Sequence, residues 1–76
     1  MVNTLYLEQK IKESGKKKEF IARICGITRQ SFMSKCKNKS QFTVDQVSAI
    51  CRELNITSLE EKDYIFFNNE LKETST

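Results

Sequence analysis

The chain has 76 residues with no proline, no histidine and two glycines, which indicates one small domain with a modest core and argues against an all-β fold. Its net charge of +3 is unevenly distributed: residues 10–39 hold ten basic and two acidic side chains, whereas residues 40–76 carry a net −4. A basic half of this kind is typical of phosphate binding, and also of a solvated lysine-rich surface.

Several classes of protein are excluded by what the sequence lacks. No apolar run approaches the length of a membrane-spanning helix, and MVNTLYLEQK has no charged start followed by an apolar block, so we expect a cytoplasmic protein without membrane contact. With no histidine, no CxxC pair and no nucleotide loop, we expect no metal, cofactor, small-molecule substrate or enzymatic activity. The three cysteines, Cys25, Cys36 and Cys51, lie at apolar helical positions and are interpreted as reduced core residues.

Capping residues and apolar spacing predict five helices. The first is capped by Asn3 or Thr4 and runs to about Ser14, where Gly15 follows as a C-terminal glycine. The second covers about residues 18–25 and has no Ser, Thr or Asp at its start. Because this cap is missing, the residues around the N-terminal end of the second helix are candidates for a binding role.

Three lysines surround the start of the second helix: Lys16, Lys17 and Lys18. Positive charge at this end opposes the helix macrodipole and destabilises the free helix. A bound phosphate would reverse this balance, because it meets both free backbone N–H groups and ammonium groups. The lysines are therefore predicted to contact phosphate, with an unoptimised surface turn as the alternative.

The residues after the second helix have the spacing of two helices joined by a tight turn. Ala22 is small enough for a close helix contact, Gly26 can adopt a positive φ, and Ile27 can fill the corner. Thr28 is predicted to cap a third helix that ends at about Lys37.

The third helix has an apolar and a polar face. Phe32 and Cys36 are four residues apart and are predicted to face the core. The other face contains no acid, and arginine and glutamine there can read guanine and adenine in the DNA major groove. The predicted base contacts are Arg29, Gln30, Met33 and Ser34. The predicted phosphate contacts, besides the three lysines, are Thr28, Lys37, Lys39 and Ser40, and Asn38 is predicted to end the helix in the left-handed conformation.

The fourth helix has the clearest start signal, because Thr43 and Gln46 match a capping box. Asn55 is predicted to close it, and Thr57 or Ser58 to cap a fifth helix. Its apolar stripe has the spacing of a buried face: Val47, Ile50, Cys51 and Leu54.

The fifth helix ends in four adjacent large apolar residues: Tyr64, Ile65, Phe66 and Phe67. Four neighbours on a helix cannot all face one core, so at least one is expected to point outward. The cluster is interpreted either as a possible protein interface or as packing that folds back over the first helix. Residues 68–76 are predicted to be a polar tail, in which disorder is expected, after a domain of residues 1–67.

The stretch GITRQSFMSKCKNKSQF, followed by a helix and by EEKDYIFF, resembles the Cro/CI-type helix-turn-helix family of phage regulators over roughly residues 4–67. It is most similar to Cro-like and modulator-of-repression proteins of temperate phages of Gram-positive bacteria. The resemblance implies an all-α, compact five-helix bundle of the lambda-repressor type. It also implies that Lys18, Arg29 and Gln30 contact base edges and nearby phosphate. The sequence departs from the family at Asn38, where a glycine is usual, and in the uncapped second helix.

Two functions follow from the resemblance. The first is a DNA-binding repressor that acts in a phage lysis/lysogeny switch as a weak homodimer on double-stranded operator DNA, with the third helix in the major groove. The second is a modulator of repression that binds a CI-type phage repressor and alters its DNA binding. The basic residues 16–39 favour the first function, whereas the aromatic residues 64–67 and the acidic C-terminal half favour the second.

Overall fold

The helices of the folded chain lie close to the bounds expected from the sequence. A computed structural model describes residues 1–67, and within that range the chain is all-helical, with five α-helices and no strand. The α-helices are α1 (Thr4–Ser14), α2 (Lys18–Ile24), α3 (Arg29–Cys36), α4 (Val44–Glu53) and α5 (Leu59–Lys62), and a π-helical segment (Asp63–Phe67) continues α5. The all-α class is confirmed, while the predicted polar tail, residues 68–76, lies outside the described residues.

Side-chain caps explain where most of the helices begin. Asn3, Thr28, Thr43 and Ser58 each accept a hydrogen bond from a backbone N–H group in the first turn of α1, α3, α4 and α5, respectively. The predicted capping box of α4 is formed. Lys17 precedes α2 and makes no such bond, so the predicted lack of a side-chain cap is confirmed.

Left-handed residues end the three central helices. Gly26, Asn38 and Asn55 adopt φ values of 77°, 64° and 58° just beyond α2, α3 and α4. The amide that follows each of them bonds back to the last helical turn, as the Ile27 N–H does to the Ala22 carbonyl at 3.1 Å. These endings turn the chain sharply, and the predicted left-handed conformation of Asn38 is confirmed.

The core gathers one face of α1 to α4 and of the π-helical segment. Its buried apolar residues are Val2, Leu7, Ile11, Ile21, Ala22, Phe32, Cys36, Val47, Ile50, Cys51, Leu54, Ile56, Ile65 and Phe66. The predicted stripe of α4 and the inward face of α3 belong to this set. Within residues 1–67 no polar or charged residue is buried, so burial of apolar surface is the main stabilising term.

The π-helical segment divides the four adjacent apolar residues between core and surface. Ile65 and Phe66 are 0% and 4% exposed, whereas Tyr64 and Phe67 are 48% and 45% exposed. Two adjacent side chains of a helix can share its core-facing side, as Ile50 and Cys51 also do in α4, while the residues before and after them point outward. Ile65 and Phe66 therefore pack inside the domain, and any protein interface here must be formed by Tyr64 and Phe67.

A polar cluster joins α1 to α5. The Tyr6 hydroxyl donates a hydrogen bond to the Glu61 carboxylate at 2.8 Å, and the Lys10 ammonium group lies 3.1 Å from the same oxygen. The hydrogen bonds from Tyr6 and Lys10 lower the pKa of Glu61, and the bond to Glu61 raises the pKa of Tyr6. Tyr64 packs edge-on against Tyr6 with ring centroids 5.1 Å apart, so the cluster also fixes the start of the π-helical segment.

Candidate nucleic-acid interface

The connection between α2 and α3 is short and well packed. Ala22 is 1% exposed, and α2 packs directly against α3 and α4. Gly26 supplies the positive φ that the turn requires, and Ile27 packs against the core. The turn therefore packs α2 and α3 against each other.

The predicted base contacts on α3 differ in accessibility. Arg29 and Gln30, in the first turn, are exposed, whereas Met33 and Ser34 are half-buried and Met33 packs against the core. The hydroxyl of Thr28 accepts the Ser31 amide at 3.0 Å, so this oxygen already acts as the helix cap. Arg29 and Gln30 are therefore the accessible members of the predicted set.

The starts of α2 and α3 share one surface cleft. Its lining residues are Lys17, Lys18, Glu19 and Arg29. Neither Lys17 nor Arg29 forms an ion pair with any residue between positions 1 and 67. The guanidinium group of Arg29 thus lines the same cleft as the ammonium groups of Lys17 and Lys18, which lie twelve and eleven positions earlier in the sequence, and the Glu19 carboxylate lines it as well.

Two of the three predicted phosphate-binding lysines have acidic partners. Lys16 pairs with Glu53 at 2.5 Å, and Lys18 lies 3.5 Å from Glu8. Of the three lysines, Lys17 alone is exposed and forms no ion pair with the described residues. The sequence did not reveal these pairings because each one joins residues from different helices or loops.

The other end of α3 carries a second group of exposed polar side chains: Lys37, Lys39 and Ser40. The two lysines form no ion pair within the described part of the chain. Lys35, which the sequence analysis did not single out, donates from its ammonium group to the Gln41 carbonyl at 2.7 Å. It therefore closes the loop that contains Lys37 and Lys39 instead of extending into solvent.

The cysteines do not form a reactive site. All three are free thiols; Cys36 and Cys51 are buried, and Cys25 is half-buried against the core. Burial raises the pKa of Cys36 to about 12 and raises those of Cys25 and Cys51 as well. Across residues 1–67 no cluster of metal-binding side chains occurs, and no helix is both long and apolar enough to cross a membrane.

The outer surface of α3 and its flanks can bind an extended anion. Ammonium and guanidinium groups attract phosphate, and an exposed arginine and glutamine on one helix turn can form paired hydrogen bonds with base edges. Neither a protein-family model, nor a curated protein, nor a solved structure matches this chain.

Proposed function

We propose that the chain is a DNA-binding transcriptional regulator of the Cro/CI type that acts in a phage lysis/lysogeny switch. In this proposal α2 and α3 form a helix-turn-helix, and α3 enters the major groove of operator DNA. Arg29 and Gln30 contact base edges, while Lys17, Lys37 and Lys39 contact phosphates on either side. The well-packed turn and the polar outer face of α3 support this assignment.

The cleft shared by α2 and α3 is the observation that carries the proposal. Lys17, Lys18 and Glu19 line it together with Arg29, which lies in the first turn of the helix that would enter the groove. A base-reading arginine needs phosphate contacts nearby to fix its register on the duplex. Lysines at the neighbouring helix start are suited to that task, and Lys17 is free of ion pairs within residues 1–67.

The proposal is tested by a gel shift on the intergenic DNA beside the gene, with and without the neighbouring CI-type repressor. We expect a sequence-selective shift whose affinity falls steeply between about 50 and 200 mM salt. An unrelated duplex of equal length is the control and should bind more weakly. The proposal is rejected if no shift occurs at low salt under either condition.

A second function, modulation of a CI-type repressor by direct binding, is favoured by the outer face of α5 and the π-helical segment. Leu59, Tyr64 and Phe67 are 74%, 48% and 45% exposed. Glu60 and Asp63 are exposed on the same short stretch. Large exposed apolar residues within one short stretch are available for a protein contact, and aromatic residues are common anchors of interfaces.

The variant Phe67→Ser separates the two functions, because Phe67 lies outside the cleft of α2 and α3. Circular dichroism and melting establish that the variant is folded, sedimentation measures self-association, and a pull-down measures repressor binding. Loss of both self-association and operator binding supports the Cro-like function. Loss of repressor binding alone supports the modulator. If both associations persist at full strength, the exposed aromatics are not a contact surface.

A further inference from the structure

Asn38 joins the N-terminal residues to the end of α3. Its side-chain oxygen accepts the Val2 amide at 2.7 Å, and its side-chain nitrogen donates to the Val2 carbonyl at 3.0 Å. These two bonds, which we call the Asn38 clamp, link residues 36 positions apart. Beside them the Thr4 hydroxyl donates to the Cys36 carbonyl. Glycine would adopt the same positive φ but could form neither bond of the clamp.

The loop that follows α3 is restrained along its length. The Lys39 amide bonds back to the Ser34 carbonyl at 2.9 Å, and the Lys35 ammonium group donates to the Gln41 carbonyl at 2.7 Å. Just before these points, the Asn38 clamp fixes the start of the loop to the N-terminal residues. The Lys39 and Ser40 side chains are nevertheless exposed, so the backbone of this loop is held while its polar groups remain available.

We propose that Asn38 is a positioning residue for nucleic-acid binding, which fixes the loop so that the Lys39 ammonium group and the Ser40 hydroxyl meet the phosphate backbone. This inference rests on the proposed function. A loop that is ordered before binding loses little conformational freedom when its side chains contact a phosphate, so the clamp raises affinity without touching the ligand.

The chain offers a matched control for the test. Asn55 also adopts a positive φ just beyond a helix, at 58°, and its side chain forms no hydrogen bond with the described residues. Asn38→Gly and Asn55→Gly therefore make the same backbone change, but only the first removes the clamp. We expect Asn38→Gly to bind operator DNA about three- to tenfold more weakly than Asn55→Gly, as for the loss of a partly buried hydrogen-bonded pair.

A double-mutant cycle distinguishes positioning from a general loss of stability. If the clamp acts by placing Lys39, then Lys39→Gln alone should weaken binding, and adding Asn38→Gly should weaken it little further. In each of the three variants, the slope of log affinity against log salt concentration should also become shallower, by about the amount that one phosphate contact contributes. Equal binding by the two glycine variants, or strictly additive effects in the cycle, would overturn the inference.

The experiment also separates this inference from the proposed function. Binding is measured by fluorescence anisotropy at a temperature where circular dichroism shows every variant to be folded. If Asn38→Gly does not fold, Asn38→Asp replaces it with Asn55→Asp as its control, because the carboxylate can still accept the Val2 amide but cannot donate to the Val2 carbonyl, and about a twofold loss relative to the control is expected. Failure of the parent to bind DNA rejects the proposed function and this inference with it. Parent binding with unchanged binding by the variants rejects the inference alone.

Discussion

Lys16 holds the C-terminal end of α4 through Glu53. Its ammonium group lies 2.5 Å from the Glu53 carboxylate and donates a second hydrogen bond to the Glu53 backbone carbonyl at 3.1 Å. A cation at the C-terminal end of a helix interacts favourably with the macrodipole. Lys16 thus makes a structural contact, although its sequence position beside Lys17 and Lys18 predicts a phosphate contact for all three.

The two adjacent lysines should consequently differ in their effect on stability. Lys16→Gln removes the ion pair and the bond to the α4 carbonyl, and we expect it to lower the free energy of unfolding by about 0.5–1 kcal/mol. Lys17→Gln should leave stability unchanged or slightly higher, because Lys17 lies at the positive end of α2. Urea denaturation of both variants measures the difference, and a larger loss for Lys17→Gln would contradict this account.

The cluster of Tyr6, Lys10 and Glu61 should make stability depend on pH in acid. Because the pKa of Glu61 is lowered in the folded chain, its contribution is complete above its ordinary pKa of 4.5 and disappears as the pH falls through the folded value. The Glu61→Gln variant should therefore have a lower free energy of unfolding than the parent at pH 7, and this gap between the two should shrink as the pH falls. Urea denaturation at a series of pH values measures the gap, and Glu60→Gln is the control. A gap that stays constant would show that Glu61 acts through packing alone.

The three thiols should react with a thiol reagent in an order set by burial. Cys25 is half-buried and should be modified first, whereas Cys36 is 1% exposed with a pKa raised to about 12 and should be modified last. Mass spectrometry of partially labelled native protein identifies the order, and unfolded protein should lose it. Early labelling of Cys36 would mean that α3 is rotated and that its outer face is assigned incorrectly.

Features encoded by neighbouring residues could be predicted from the sequence. The Thr43 and Gln46 box, the turn at Gly26 and the left-handed Asn38 each depend on a few consecutive positions, and all three are present. The apolar faces of α3 and α4 were also predictable, since helical periodicity determines which positions lie together.

Features that join distant parts of the chain could not be predicted in the same way. The Asn38 clamp to Val2 and the pairing of Lys16 with Glu53 each span more than 35 positions. They depend on how whole helices are placed, which local propensity does not specify. Which two of the four residues 64–67 are buried also depends on how this segment is placed against the core, and the spacing of apolar residues does not indicate the π turn found there.

The proposed reading of DNA by the first turn of α3 is tested by the variant Arg29→Ala. Arg52→Ala is the matched control, because Arg52 is also exposed, lies in the last turn of α4 and is absent from the cleft. Anisotropy titrations with operator DNA and with single-base variants of it give affinity and base preference together. We expect Arg29→Ala to lose about 1–3 kcal/mol of binding free energy and its preference at one base pair, while Arg52→Ala keeps both. Binding by Arg29→Ala that is as tight and as selective as that of Arg52→Ala would contradict the account.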